Sequence, residues 1–146
     1  MHSNPDGLLH IKLNLQEEAI MSKRNVNSEK APAAIGPYSQ AIEVEGTIYV
    51  SGQLPIDAAT GEFASDEIKG QTKQSLENIA AILKEAGCTM ENVVKTTVLL
   101  QDMNDFAAMN EVYAGYFSAP FPARAAFEVA KLPKGAKVEI EAVAKR

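Results

Sequence analysis

Tryptophan is absent from this chain of 146 residues, cysteine occurs once and histidine twice. Both histidines, His2 and His10, lie near the start, so the body of the chain has none. That excludes a Ser-His-Asp or Cys-His relay there, and any histidine-ligated zinc or iron site. The lone Cys88 excludes an internal disulfide framework and every CxxC redox or zinc motif. Behind the helix-ending Gly87 it reads as a bystander, with no neighbour to activate a thiolate. Neither GxxxxGK[ST] nor GxGxxG occurs, so a phosphate cradle has no support. Arginine is scarce too: Arg24, Arg124 and Arg146 are the only ones, and two of them sit in terminal segments.

What is present is ordinary for one globular domain. Apolar residues make up 46% and charged residues 23%. The formal charge of −5 gives a long-range field that repels nucleic acid and anionic membranes. The balance reads as a soluble intracellular protein that handles small molecules or acts as an interaction domain.

Residues 1–20 differ from the rest. His2 to Gly7 is loop chemistry, and Leu9, Ile11, Leu13 and Leu15 alternate like one short strand. The apolar part is too short and interrupted to span a membrane, and lacks the basic and small-residue flanks of a signal peptide. Met21-Ser22-Lys23 looks like a second start. Two readings stand side by side: an upstream- or vector-derived extension, or a genuine strand or tail. The segment carries −2 of the −5, through Asp6, Glu17 and Glu18 against Lys12.

No repeat, low-complexity tract or linker interrupts residues 22–146. Ala41–Glu45 and Thr47–Leu54 around Gly46 predict a hairpin. Ile68, Leu76, Ile79, Ala80 and Leu83 recur at helical spacing within residues 66–86, with Ser65 or Asp66 to cap the start. Residues 93–100 are a β-branched strand, residues 105–117 a second helix, and residues 123–129 and 137–144 two further strands. The order β-β-α-β-α-β-β predicts an α+β fold with two helices on one face of a mixed sheet.

Alternation then assigns the other face. Val138, Ile140, Ala142 and Ala144 point to the helices, which turns Glu139 and Glu141 away. Taking Ala125, Phe127 and Val129 as inward places Arg124, Ala126 and Glu128 on the helix-free face. Taking Ile48, Val50 and Leu54 as inward adds Thr47, Tyr49, Ser51 and Gln53 to it. Tyr49, Val93, Thr97 and Leu99 make that face too apolar to stay wet, and association with other copies would cover it.

Carboxylates must then do any acid–base work. Arg124 is either a partner for Glu139 or Glu128, or a fork for a ligand carboxylate, which guanidinium matches bidentately. Glu139 is either a solvated strand glutamate or a base. Tyr38 in Gly36-Pro37-Tyr38-Ser39, Ser51-Gly52 and Asn110 each have a plain structural use, as packing residue, strand bulge and solvent-facing helix residue.

Together they carry more. Residues 31–40 (APAAIGPYSQ), 50–55 (VSGQLP), 104–107 (NDFA), 121–124 (FPAR) and 132–135 (LPKG), followed by 138–142 (VEIEA), resemble the RidA (YjgF) family in order and spacing. The likeness runs over residues 21–146 and leaves 1–20 outside as an N-terminal extension. It implies a chorismate-mutase-like α+β fold, a cytoplasmic homotrimer with clefts between subunits, and no metal or organic cofactor. It implies an enamine/imine deaminase, hydrolysing 2-iminobutanoate, or the 2-iminopropanoate that forms from 2-aminoacrylate, to 2-oxo acids and ammonia. Pyridoxal-phosphate-dependent dehydratases would supply such imines. Arg124 would clamp the substrate carboxylate and Glu139 would deprotonate the attacking water. Tyr38, Ser51, Gly52, Asn110 and the backbone of Ala126 would line the pocket. Many members carry cysteine where this chain has Ala126, which leaves deamination intact but removes thiol chemistry there. Two rival readings remain: a regulatory trimer that binds small acids without turnover, and an endoribonuclease or translation inhibitor, against which the acidic charge and missing histidines weigh.

Overall fold

A computed structural model describes residues 22–146 of the chain. The proposed strand at Leu8–Leu15 and the boundary at residue 20 lie outside the described residues. Six strands form one sheet: β1 (Arg24–Val26), β2 (Ala41–Val44), β3 (Thr47–Gln53), β4 (Val93–Leu100), β5 (Ala123–Glu128) and β6 (Val138–Lys145). Two α-helices, α1 (Ile68–Glu85) and α2 (Phe106–Ala114), pack on one side. Every strand and helix predicted within residues 22–146 is present. The three-residue β1, too short for a periodic signal, is the addition.

The spatial order is β1-β2-β3-β6-β4-β5, so the last strand of the chain sits at the centre. It runs antiparallel to both neighbours, while β4 and β5 are parallel and joined through α2. That crossover is the mixed-sheet element the helix between two strands requires.

α1 buries Leu76, Ile79, Ile82 and Leu83 against Ile48, Val98, Ile140 and Ala144 in one core. Each such aliphatic side chain contributes roughly 1.5–3 kcal/mol relative to leaving it exposed. Its inner face also holds Gln71, Thr72, Ser75 and Asn78, all buried, which apolar periodicity alone does not detect. Two of them fasten loops. Asn78 Nδ2 donates to the carbonyls of Leu54 and Ile56, and Gln71 Oε1 accepts from the Lys137 backbone N–H. The helix begins two residues later than expected. Ser65 Oγ accepts the Glu67 N–H in a local turn, and Glu67 is the N-cap. α2 is shorter than expected at both ends. A 3₁₀ turn over Met103–Asp105 precedes it and Gly115 caps it.

The helix-side face of the sheet departs from the alternation at three places. Arg124 and Ala126 face α2, not the open side: they pair with Thr96 and Val98, both buried. A bulge between Val50 and Gln53 shifts the phase, so Gln53 is buried opposite Ile140. A second irregularity between Val93 and Lys95 turns Val93 into the core and leaves Val94 exposed. The helix-free face is thus a grid of Tyr49, Val143 and Lys95; of Glu141, Thr97 and Ala125; and of Glu139, Leu99 and Phe127.

Candidate functional site

The residues singled out by the sequence fall into two groups at two places on the chain. Tyr38, Ser51, Gly52 and Glu139 form the first. Gln40, buried at the start of the hairpin, builds its loop. Its Nε2 donates to the carbonyls of Ser28, Ala31 and Pro32, and its Oε1 accepts the Ser28 N–H. That ties residues 28–40 into one arch, which ends in Gly36 at φ 126°, a conformation only glycine adopts readily. Tyr38 follows at the tip, and Ile35 beside it is 86% exposed. The Ser51 hydroxyl donates to the Ser39 carbonyl at 2.6 Å, and the Ser51 N–H donates to the Gln40 carbonyl at 2.9 Å. Ser51 therefore holds the arch against β3.

The bulge brings Gly52 against Glu139. A Cβ at Gly52 would overlap Oε1 of Glu139 and lie 3.0 Å from its carboxyl carbon. Glu139 is half-buried, and burial first, then the charge of Glu141, push its pKa above the ordinary 4.5. Both causes disfavour the carboxylate, so Glu139 is a stronger base than a solvated glutamate. Gly52 also lines a cavity of about 400 Å³, walled further by Ile35, Tyr38, Leu54, Ile56 and Lys134, among others. Gly52→Ala should displace the carboxylate. The rate of a reaction for which Glu139 is the base is expected to fall at least about tenfold, because misplacement by an ångström is costly to a positioned base. Steady-state kinetics at unchanged thermal stability of the fold checks this.

The second group is Arg124, Asn110 and Ala126. Arg124 Nη1 donates to Asn110 Oδ1 at 2.7 Å. Its guanidinium carbon lies 4.7 Å from the ring centroid of Tyr113 and 5.4 Å from that of Phe106. Neither expected ion pair forms: Glu128 accepts the Met103 N–H, and among the described residues the ion pairs are Arg24–Glu43, Lys69–Glu111 and Arg146–Glu43. One N–H of Arg124 is thus engaged by protein and the rest of an exposed fork faces outward. Ala126 lies two residues further along the same side. Helical spacing puts Phe106 and Tyr113 along one side of the second helix, but it did not connect them with Arg124. Residues 106, 110 and 113 share one helical face.

The two groups do not meet within one chain. Arg124 pairs across β4 to Ala142, three residues beyond Glu139, and the two side chains leave opposite faces of the sheet. Strand spacing and rise put their Cα atoms about 14 Å apart. A fork on one side and a base on the other complement each other only if a second copy brings its Glu139 group to this Arg124.

Among the described residues no three His, Cys, Asp or Glu side chains cluster as metal ligands, and no helix is long and apolar enough to cross a membrane.

Comparison with known proteins adds the following. The family model described as endoribonuclease L-PSP matches residues 28–146. A curated goat (Capra hircus) protein named 2-iminobutanoate/2-iminopropanoate deaminase is 58% identical over 122 residues, which are 84% of this chain and 89% of that one. The crystal structure of the YjgF gene product of E. coli is 46% identical, with a TM-score of 0.81, covering 84% of this chain and 98% of that one. E. coli TdcF, solved with bound serine, is 41% identical with the same TM-score and the same coverage.

Proposed function

The chain belongs to the endoribonuclease L-PSP family, the RidA (YjgF) family, and from that membership we propose that it is a 2-iminobutanoate/2-iminopropanoate deaminase. The fold is the α+β, chorismate-mutase-like one of its structural relatives. The observation that carries the reading is the pair of complementary half-sites: an exposed guanidinium fork, and a glutamate of raised pKa held beside Gly52.

Arg124 binds the substrate carboxylate through two parallel N–H donors. Glu139 takes a proton from water as the water oxygen attacks C2 of the protonated imine, forming a carbinolamine. Glu139 returns the proton to nitrogen, which makes ammonia the leaving group; the C–N bond then breaks while the freed carboxylate takes the hydroxyl proton, giving the 2-oxo acid. Water is consumed, and no oxidant or external electrophile is needed. Tyr38, Ser51, Gly52, Asn110 and the Ala126 backbone complete the pocket. Catalysis comes from orientation and a pre-set charge field.

The assembly is a homotrimer with the sites in the clefts between subunits. Supporting it, the helix-free face carries Tyr49, 51% exposed, and Phe127, 47% exposed, with Leu99 and Val143 between. Phe121 and Ile35 are exposed as well. The site is incomplete without a partner. The enzyme works in the cytoplasm beside pyridoxal-phosphate-dependent dehydratases, which release the imines. Residues 21–146 form the RidA-like domain, with residues 1–20 an N-terminal extension to it.

The test generates 2-iminobutanoate in situ from threonine with a dehydratase and follows 2-oxobutanoate release. We expect acceleration over buffer at substoichiometric protein. No acceleration with retained 2-oxobutanoate binding would favour a non-catalytic acid-binding trimer. The same preparation should leave RNA intact.

A further inference from the structure

Arg124 starts from an edge strand and reaches solvent through four rotatable bonds, so something must aim it. α2 supplies the frame. Phe106, Asn110 and Tyr113 fall on one helical face, at positions i, i+4 and i+7, and all three touch the guanidinium. Phe106 and Asn110 are only partly buried. Tyr113 is 5% exposed, and its hydroxyl sits 2.7 Å from Thr96 Oγ1 in a buried hydrogen bond. Thr96 is 1% exposed and is the residue on β4 paired with Arg124 itself.

The contacts close into a ring. The Arg124 backbone is held beside Thr96, Thr96 holds the Tyr113 hydroxyl, and the Tyr113 ring holds the Arg124 guanidinium. A buried tyrosine hydroxyl needs a partner, and threonine can serve as donor or acceptor. Because Thr96 is fixed by the sheet, the ring has one bearing, and the quadrupole on its face fixes the cation in turn. The guanidinium is then pre-aimed before ligand arrives, and less side-chain freedom is lost on binding. Phe117 buttresses the ring from the far side of α2's end, with centroids 4.6 Å apart.

We propose that Tyr113 and Thr96 are positioning residues which aim the Arg124 guanidinium at the substrate carboxylate. The inference rests on Arg124 being the carboxylate clamp. Neither residue touches substrate. Both act through Arg124, so their loss weakens binding of the carboxylate and leaves the water-activating step at Glu139 in place.

Tyr113→Phe and Thr96→Val each delete one side of the hydrogen bond at nearly constant volume, and Tyr113→Leu deletes the ring. The full chain is assayed in the in situ imine assay, with calorimetric titration of 2-oxobutanoate alongside. The expected result is that Tyr113→Phe and Thr96→Val raise KM and the 2-oxobutanoate Kd about 3- to 10-fold, with kcat within about twofold. The double variant should be no worse than either single one, because both break the same bond. Thr96→Ser, which keeps the hydroxyl, should bring KM back towards the parent value. Tyr113→Leu should approach the KM of Arg124→Ala. If it fails to fold, the two isosteric variants still decide.

KM and Kd unchanged in folded Tyr113→Phe and Thr96→Val, while Arg124→Ala raises both, would overturn the proposal and leave the clamp standing. A loss of thermal stability at constant KM has the same meaning: the residues are then packing only. KM unchanged in Arg124→Ala itself removes the clamp, and the positioning role with it.

Discussion

Arg124→Ala should lower kcat/KM for 2-iminobutanoate about a hundredfold, with most of the loss in KM. The size follows from the contact. A charge-assisted hydrogen-bonded pair is worth about 1.5–3 kcal/mol, and each 1.4 kcal/mol is tenfold in rate. Arg124 is suited to the task because, among the described residues, its hydrogen-bonding side-chain partner is neutral: Asn110 orients one N–H without cancelling the charge. Arg124→Lys keeps the charge but loses the fork, and should recover only part of the loss. A kcat/KM within about twofold of the parent in Arg124→Ala would remove the clamp.

The same variant tests the assembly. Arg124 and Glu139 lie on opposite faces of one sheet, so in the proposed trimer each site would take its fork from one subunit and its base from a neighbour. At substrate well below KM, each homotrimeric variant, Arg124→Ala or Glu139→Gln, should keep about 1% of parental activity or less. In randomly mixed 1:1 trimers, about a quarter of the clefts should combine an intact Arg124 with an intact Glu139. Co-refolding the two should therefore restore about a quarter of parental activity. No recovery in well-mixed trimers would place both residues of a site on one subunit.

Most of the fold was legible in the sequence because the strands and helices carry strong periods. β6 alternates cleanly, with Val138, Ile140, Ala142 and Ala144 inward. The exceptions have physical causes. In β5 (Ala123–Glu128) both phases contain apolar residues, and reading Phe127 as core placed Arg124 on the wrong face. Phe127 points to the helix-free face and is exposed in the single chain; an apolar residue that the proposed trimer would cover is not separated by one chain's pattern from its own core. The Ser51–Gly52 bulge was visible only as a glycine in a strand, and its effect on Gln53 needed the pairing with Ile140. The candidate residues were legible singly; their separation into two groups was not, because contact across strands leaves no mark on local spacing. Tyr113 and Thr96 are both buried. Their bearing on Arg124 comes from the register of β4 against β5.

Glu139→Gln should have two effects of opposite sign. Turnover should fall by about 10²- to 10⁴-fold, the usual contribution of a positioned general base, while 2-oxobutanoate still binds through Arg124. Thermal stability at neutral pH should rise. Burial and the charge of Glu141 raise the folded-state pKa of Glu139 above the ordinary 4.5. A carboxyl whose pKa is raised on folding contributes stability in full below its unfolded pKa, and loses it as pH climbs through the folded one. At neutral pH the folded chain therefore carries an ionised group it disfavours, and the isosteric neutral amide relieves that. The same sign sets the rate profile. Glu139 is useful only when deprotonated, so kcat/KM should rise with pH along an acid limb whose midpoint lies above 4.5. Glu141→Gln removes the smaller of the two causes. Its acid limb should move to lower pH without reaching the ordinary value, because burial, the larger cause, stays. A limb that does not move separates Glu139 from the ionisation that governs the rate. A Glu139→Gln protein that turns over normally removes it from the reaction altogether.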